Sequence, residues 1–292
     1  MQLIPWAYPT SLGFTLRGYR TEATGKPVLH MLHGNGFCSR MYQPMLQLLA
    51  DEFDVFLSDA QGHGDSDHGG PFVGWNKSAE LAASAWLAHK HLYPDVAIYG
   101  VGHSFGGVLT SLMLARQPGL FSRAVLLDPV LFSPAMIGVM ALSDVVGLSR
   151  RTTLASKALK RRSSWPDRAA AHAALHGRGM FRGWTEEAFA AYIQHALKDS
   201  DKGVELCCRP SREADIFSSF PKRLWPSLGK ITTPTQVLYG ERSYPFVAKS
   251  VARWCASNGH VSGHVVPGGH CFMQEQPAES ATRVARFLLQ RD

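Results

Sequence analysis

A serine flanked by glycines stands where an apolar, β-branched run changes into a helical pattern, and this junction constrains the fold more than any other stretch. The run covers residues 96–101, and residues 108–115 have the spacing of a helix. Between them, Gly102 and Gly106 stand two residues before and two after Ser104. Glycine is needed where a strand and a helix pass too close for a Cβ atom. The pattern predicts a sharp turn that exposes the Ser104 hydroxyl, the alternative being a glycine-rich loop that arose by chance.

Two more polar turns that contain glycine follow predicted strands. After a predicted edge strand at 10–19, the strand at 28–32 ends in the turn at 33–37, and the strand at 53–58 runs into the turn at 59–67. Helical patterns lie between these strands, which is typical of a parallel sheet whose ligands bind beyond the carboxyl ends of its strands. The three turns therefore predict one site at one edge of an α/β fold. Taken alone, the turn at 33–37 is equally compatible with a plain connection.

The alternation of strands and helices stops after a strand at 124–127 and resumes with one at 234–239. Because such an interruption is typical of an insertion, we predict an α/β core formed by 1–132 and 226–292 and a helical cap at 133–225. Four cap helices are expected, at 135–146, 153–162, 166–175 and 185–197. The first of them is apolar, so it is expected to roof a pocket, although packing against other cap helices would produce the same apolar stripe.

The positive charge of the chain is concentrated in the predicted cap. The formal net charge is +7, yet residues 149–183 contain nine basic residues and one acid, Asp167. A solvated helical face explains such a segment, with attraction of an anionic substrate or a membrane surface as the alternative. Nucleic-acid binding would call for interleaved aromatic residues or a recognisable module, and the sequence has neither. We therefore expect a small-molecule substrate, and the oligomeric state is left open.

Cysteine usage and hydropathy argue against a metal site, a disulfide scaffold and a membrane anchor. The five cysteines lack the spacing of metal ligands, and reduced thiols are expected in a chain of 292 residues. Residues 1–6 do not resemble a signal peptide, and the most apolar window, 124–148, is interrupted by charged residues and prolines. The sequence predicts a cytoplasmic protein with no stable membrane insertion, no metal and no other cofactor.

A serine hydroxyl acts as a nucleophile at neutral pH only with a base within hydrogen-bond reach, and that base needs an orienting acid. Among thirteen histidines, His270 is the best placed because it follows the last predicted strand on a Pro-Gly-Gly turn. His264 lies inside that strand, His103 stands beside Ser104 along the turn, and His63 is expected to pack within its loop. We therefore predict His270 as the base.

The chain resembles the capped α/β-hydrolases in four segments that together cover essentially its whole length. Residues 33–36 resemble the oxyanion turn of that family, and 62–66 resemble the loop after the following strand. Residues 102–107 resemble the nucleophile turn, and 268–270 the histidine loop. The resemblance implies a mainly parallel, eight-stranded sheet with helices on both faces, an inserted helical cap and hydrolase activity.

The same resemblance assigns further residues to the site. The backbone N–H groups of Asn35 and of Phe105, the residue after the nucleophile, would form the oxyanion hole. Each such donor typically contributes about 10²–10³ in rate. The substrate pocket is expected to be lined by His33, Gly34, His103, Met136 and Met140.

The orienting acid is where the chain departs from the family pattern. Many relatives have an Asp three residues after the glycine that corresponds to Gly240, and this chain has Ser243 there. Glu241 lies in the same loop, while Asp128 ends the preceding core strand, the place from which some relatives supply the acid. Both carboxylates preserve the order serine, acid, histidine. We favour Asp128, the alternatives being Glu241 as the acid and a purely structural Asp128 that holds the start of the cap.

The nucleophile restricts the reactions that the resemblance implies. Relatives that displace halide or open epoxides have an Asp at the position of Ser104, so acyl transfer to water is expected, with an ester or thioester of a small, largely apolar substrate. A carbon–carbon bond hydrolase acting on a diketone uses a similar site, and cofactor-free oxidation and perhydrolysis are further possibilities. A non-catalytic small-molecule receptor on the same fold is the alternative of another class.

Overall fold

The computed structural model describes residues 1–145 and 153–290. The predicted end of the first cap helix, Val146, lies outside the described residues. The start of the basic segment, with Arg150 and Arg151, does so as well.

A mainly parallel sheet of eight strands forms the centre of the described part of the chain, in the order β1-β2-β4-β3-β5-β6-β10-β11. The pairs β1·β2 and β2·β4 are antiparallel, and the remaining neighbours are parallel. The strands along the chain are β1 Ile4–Pro9, β2 Thr15–Arg20, β3 Val28–Leu32, β4 Asp54–Ser58, β5 Ile98–His103, β6 Arg123–Leu127, β7 Ser164–Trp165, β8 Leu197–Ser200, β9 Gly203–Leu206, β10 Thr235–Gly240 and β11 Val261–Val266.

Helices cover both faces of this sheet. Helices α1 and α12 pack on one face, and α2, α3 and α10 on the other. The helices along the chain are α1 Gln43–Leu49, α2 Trp75–His89, α3 Phe105–Arg116, α4 Pro134–Val145, α5 Thr153–Leu159, α6 Arg168–Leu175, α7 Glu186–His195, α8 Pro210–Phe217, α9 Leu224–Leu228, α10 Pro245–Ser257, α11 Phe272–Glu275 and α12 Pro277–Leu288. Successive residues of a strand point to opposite faces, and in β3 Leu29 and Met31 belong to one apolar core while Val28 and Leu32 belong to the other. The predicted α/β fold is confirmed.

The start of the chain differs from the prediction of one edge strand at 10–19. Residues 4–9 form the edge strand instead, and residues 10–14 turn back through a hydrogen bond from the Thr10 N–H to the Phe14 carbonyl, 2.9 Å long. Pro5 and Pro9 make β1 hard to recognise from the sequence, because proline lacks the N–H that a central strand needs. An edge strand tolerates proline. The Trp6 indole anchors this strand by donating to the Leu57 carbonyl at 3.1 Å.

The segment between β6 and β10 contains the predicted helices and also elements that the sequence did not predict. Helices α8 and α9 are additional, and β7, β9 and β8 form a small antiparallel sheet. These strands have only two to four residues, too short for an alternating pattern to stand out. The proposed cap boundaries at 133 and 225 stay a prediction.

Among the helices of the described ranges, none combines the length and the apolar character that crossing a bilayer requires. The cytoplasmic location stays a prediction.

Candidate active site

The serine turn has the backbone geometry that its glycines predicted. Ser104 lies between β5 and α3 with φ of 53° and ψ of −113°, a strained conformation for a residue with a side chain. A Cβ atom on Gly102 would lie 2.4 Å from the Gly106 carbonyl oxygen, and one on Gly106 would lie 2.3 Å from that of Leu32. The Ser104 N–H donates to the Leu127 carbonyl at 2.9 Å. The turn is therefore held from both neighbouring strands, and larger residues are excluded from it.

His270 reaches the serine from the loop after β11. Its Nε2 lies 2.9 Å from the Ser104 Oγ, within hydrogen-bond distance. The loop begins at Gly268, whose φ of 119° favours glycine. The Glu275 Oε1 accepts a hydrogen bond of 2.8 Å from the Gly269 N–H. The predicted base therefore stands on a loop that a partly buried carboxylate holds in place.

Asp128 lies on the far side of the His270 ring, with its Oδ1 3.2 Å from the ring Nδ1. The contact falls short of ideal hydrogen-bond alignment, as contacts of this type often do before a substrate binds. The side chain is completely buried, and it accepts hydrogen bonds from the Gly240 N–H at 2.9 Å and from the Ser243 hydroxyl at 2.6 Å. Serine, histidine and carboxylate thus form one continuous line.

Glu241 is not part of this line. Its side chain is half exposed and forms an ion pair of 2.6 Å with Arg242, and no contact joins it to His270 in the described part of the chain. The structure therefore brings Asp128, and not the alternative Glu241, to the histidine.

The N–H groups of Asn35 and Phe105 have no hydrogen-bond acceptor within residues 1–145 and 153–290, and both residues line the cavity beside Ser104. Two contacts fix the turn that contains Asn35. Its side-chain amide donates to the Glu213 carbonyl at 3.0 Å, and the neighbouring Gly36 N–H donates to the His63 Nε2 at 3.1 Å. The arrangement offers two backbone donors next to the serine.

The structure places His33, Gly34 and His103 beneath the cavity rather than in its lining, where we expected them. The His33 Nδ1 lies 2.7 Å from the Gly34 carbonyl oxygen, and its Nε2 accepts from the Ala60 N–H at 3.0 Å. Burial lowers the pKa of His33, although nearby Asp59 opposes that change. The buried His33 ring therefore connects the turn at 33–37 to the start of the turn at 59–67 by hydrogen bonds.

Above the serine lies a cavity of about 770 Å³. Met136 and Met140 of α4 line it, while Val139 and Leu142 of the same helix are each 66% exposed. Much of the remaining lining is apolar: Phe37, Trp75, Phe105, Val130, Phe132, Leu154, Met180, Ile216, Phe217, Pro245 and Phe246. The cavity therefore suits a substrate with a sizeable apolar part.

Sequence reasoning missed three residues that shape the site. Ser243 was noted only as the position where an acid is absent, although a hydroxyl there is well suited to bind a carboxylate from the neighbouring strand. Glu275 follows His270 by five residues, and its acidic side chain next to a glycine loop was the available signal. Tyr42, whose hydroxyl lies 3.1 Å from the Gly34 nitrogen, had no signal in the sequence.

Comparisons with known proteins agree with this architecture. The abhydrolase domain-containing protein AFT2-1 of Alternaria alternata is 24% identical over 229 residues, 65% of this chain and 82% of that protein. Monoglyceride lipase of Mus musculus is 30% identical over 122 residues, 40% of this chain and 39% of that protein. The crystal structure of E-2-(acetamidomethylene)succinate hydrolase has a TM-score of 0.77 at 21% identity, covering 98% of this chain and 99% of that one. The sequence also matches the description "Alpha/beta hydrolase family" over residues 31–283, and the chain therefore belongs to the alpha/beta hydrolase family.

Proposed function

We propose that the protein is a serine hydrolase that cleaves an ester or thioester of a largely apolar small molecule through an acyl-enzyme. The observation that carries this proposal is the line from Asp128 through His270 to Ser104, with contacts of 3.2 and 2.9 Å, on the floor of an apolar cavity. Membership of the alpha/beta hydrolase family supports hydrolysis in general. The resemblance to a protein named monoglyceride lipase favours an ester.

In this mechanism, the Ser104 Oγ attacks the substrate carbonyl carbon while the His270 Nε2 takes its proton. The Asp128 carboxylate stabilises the imidazolium that forms. Negative charge develops on the carbonyl oxygen, where the N–H groups of Asn35 and Phe105 are available as donors. His270 then returns the proton to the leaving oxygen or sulfur, and the acyl group stays on Ser104.

The second half of the reaction uses the same groups. Water attacks the acyl carbonyl, His270 takes a proton from that water, and the tetrahedral intermediate collapses. The carboxylic acid leaves, and His270 returns the proton to the Ser104 Oγ. Each residue ends in its starting state, so no cofactor is consumed.

The test combines covalent labelling with turnover. A fluorophosphonate probe should add one equivalent to the intact protein at Ser104, and short acyl esters of p-nitrophenol should be hydrolysed, whereas Ser104→Ala should do neither. A diketone in the same substrate panel distinguishes carbon–carbon bond hydrolysis. Folded protein that is neither labelled nor active on any of these substrates would contradict the proposal and favour a non-catalytic receptor.

A further inference from the structure

Two arginines that line the cavity, Arg242 and Arg182, differ in their ion pairing. The Arg242 guanidinium contacts Glu275 at 3.0 Å and Glu241 at 2.6 Å, so carboxylates neutralise it. Arg182 also lines the cavity, is exposed, and has no side-chain acceptor or ion-pair partner within the described ranges. Among the described residues, Arg182 is therefore a cation of the cavity wall that no carboxylate neutralises.

The backbone around Arg182 is anchored rather than loose. Phe181 and Trp184 are both buried, with ring centroids 5.0 Å apart, and Trp184 packs at 5.9 Å against Phe37 of the serine site. The Thr185 N–H donates to the Gln274 carbonyl at 3.0 Å. These contacts fix the backbone on both sides of Arg182, so the exposed side chain starts from a fixed point at the cavity wall.

Another part of the lining is a continuous series of rings without charge. Trp75 and Phe132 are 5.8 Å apart, Phe132 and Phe246 5.9 Å, and Phe246 and Tyr244 5.8 Å, while Tyr244 lies 4.8 Å from the His270 ring. Such a surface binds the apolar body of a ligand. In the described part of the chain, the cavity thus combines an apolar wall that begins at the histidine with an unpaired cation, Arg182.

We propose that the substrate of this site carries an anionic group, a carboxylate or a phosphate, which Arg182 binds while the apolar part packs on the rings. The inference rests on the proposed function, since it names the substrate class of the same site. Arginine suits both anions because its guanidinium binds them through two parallel hydrogen bonds. Residues 153–183 contain seven basic residues and one acid. Arg161 and Arg168 pair with Glu213 and Asp199, and the remaining cations add a positive field that attracts such a substrate.

The experiment compares two p-nitrophenyl esters of equal length, one with a terminal carboxylate on the acyl chain and one with a terminal methyl ester. The wild type should prefer the carboxylate in kcat/KM. Arg182→Gln should lower kcat/KM for the carboxylate ester about 10- to 100-fold, with the neutral ester changed less than about two-fold. Arg178→Gln is the matched control, since Arg178 is an exposed cation four residues away that does not line the cavity.

Two further arms complete this test. Alkyl carboxylates and alkyl phosphates of one chain length, used as competitive inhibitors, identify the anion that binds better. An unchanged preference in Arg182→Gln, or a wild-type preference for the neutral ester, would overturn the anionic site. Fluorophosphonate labelling and turnover of the neutral ester report on the proposed function separately, so failure of one is distinguishable from failure of the other.

A second, independent observation concerns a chain of hydrogen bonds beneath the serine. The Gly34 N–H donates to the Tyr42 hydroxyl oxygen at 3.1 Å, the Tyr42 hydroxyl lies 2.6 Å from the His103 Nδ1, and the His103 Nε2 lies 3.0 Å from the His270 carbonyl oxygen. The side chains of Tyr42 and His103 are completely buried. The chain connects the residue before Asn35 to the backbone of the predicted base.

The direction of each hydrogen bond in this chain follows from its ends. The Gly34 N–H can only donate and the His270 carbonyl can only accept. Tyr42 therefore donates its proton to the His103 Nδ1, and the His103 Nε2 carries the hydrogen that the carbonyl accepts. Burial, with the nearby His270 as a second cause, lowers the pKa of His103, so the ring is neutral and has one donor and one acceptor. Every polar atom in the chain is satisfied.

We infer that Tyr42 and His103 are positioning residues that hold the oxyanion turn and the His270 loop at a fixed separation. This inference also rests on the proposed function. Tyr42→Phe should lower kcat about 10-fold or more, because the Gly34 N–H and the His103 Nδ1 both lose a partner, with KM changed less than about three-fold.

Tyr93→Phe is the matched control for this second inference. It removes the hydroxyl of another buried tyrosine, which donates to the Thr21 carbonyl at 3.0 Å. Thr21 is hydrogen-bonded to Val55 near the start of β4, at the end of the sheet away from the serine. It should lower the melting temperature by a similar amount and leave kcat unchanged. The positioning role would be overturned if Tyr42→Phe kept the wild-type kcat, or if the two variants lost kcat equally.

Discussion

Replacing Asp128 by Asn tests the assignment of the acid most directly. The Asp128 Oδ1 lies 3.2 Å from the His270 Nδ1, and opposite charges at that distance attract by about 5 kcal/mol at an effective dielectric constant of about 20. This attraction arises when His270 takes the proton of Ser104, so its loss should appear in kcat. About 5 kcal/mol corresponds to a loss of about 10³- to 10⁴-fold in kcat for Asp128→Asn.

The hydrogen-bond donors around Asp128 should make the loss of kcat in Asp128→Asn larger than the loss of electrostatic attraction alone predicts. The carboxylate accepts from the Gly240 N–H, and from the Ser243 hydroxyl at 2.6 Å, in addition to facing His270. An asparagine offers one carbonyl oxygen and a donor group to these three donors, so at least one is left unsatisfied. Ser243→Ala removes a single donor to the carboxylate and should lower kcat about 10-fold.

The assay is steady-state hydrolysis of a p-nitrophenyl ester, with folding checked by circular dichroism and by the denaturation midpoint. Glu241→Gln is the matched control and should keep kcat within about two-fold, since Glu241 contacts the exposed Arg242. Adding Ser243→Asp to Asp128→Asn should restore about 10-fold or more, because the Ser243 Oγ already lies beside the position of the lost oxygen. Full activity in Asp128→Asn together with a large loss in Glu241→Gln would refute the assignment.

Three other predictions concern stability, each measured by urea denaturation. Gly106→Ala should lower the free energy of unfolding by about 3 kcal/mol and abolish fluorophosphonate labelling, because its Cβ would lie 2.3 Å from the Leu32 carbonyl oxygen; unchanged labelling would contradict this. Arg161→Met should cost about 3–5 kcal/mol, since it leaves the buried Glu213, now 2.9 Å from the guanidinium, without a partner; adding Glu213→Met should recover most of the loss. Burial lowers the pKa of His30 to about 3, below its value in the unfolded chain. As the pH falls from 7, the unfolded chain therefore takes up a proton that the folded protein does not, and the free energy of unfolding decreases. Between pH 7 and 5, His30→Leu should therefore lose about 2 kcal/mol less than the wild type, and parallel curves would contradict this.

The sequence predicted most of the sheet, and it indicated which turns meet at the candidate site, because both depend on local chemistry. Glycines around Ser104 and before His270 are required by close approaches and positive φ values that no other residue tolerates well. The carboxyl ends of parallel strands lie at one edge, so turns far apart in the chain could be placed together before any contact was known.

The features that the sequence could not predict depend on long-range packing. The histidines at 33 and 103 stand next to turn residues, yet each ring is buried under the cavity and hydrogen-bonded to a partner that no spacing indicates. The small sheet of β7, β9 and β8 has strands too short for periodicity. The ion pair of Arg242 with Glu275, and the lack of one at Arg182 among the described residues, are likewise visible only once the loops are folded.

The position of the acid illustrates why local reasoning left two candidates. Strands β6 and β10 are parallel neighbours, and Leu127 pairs with Leu238, so both strands deliver their next residues to the same point at the sheet edge. Chain order cannot separate acids supplied from these two places. The register separates them, since Asp128 follows Leu127 at once and turns inward with φ of 46°, whereas Glu241 lies three residues after Leu238 and turns to solvent. Ser243, at the place where the family resemblance predicts an acid, donates to the Asp128 carboxylate, as does the Gly240 N–H. Residues at the ends of both strands therefore hold this carboxylate beside His270.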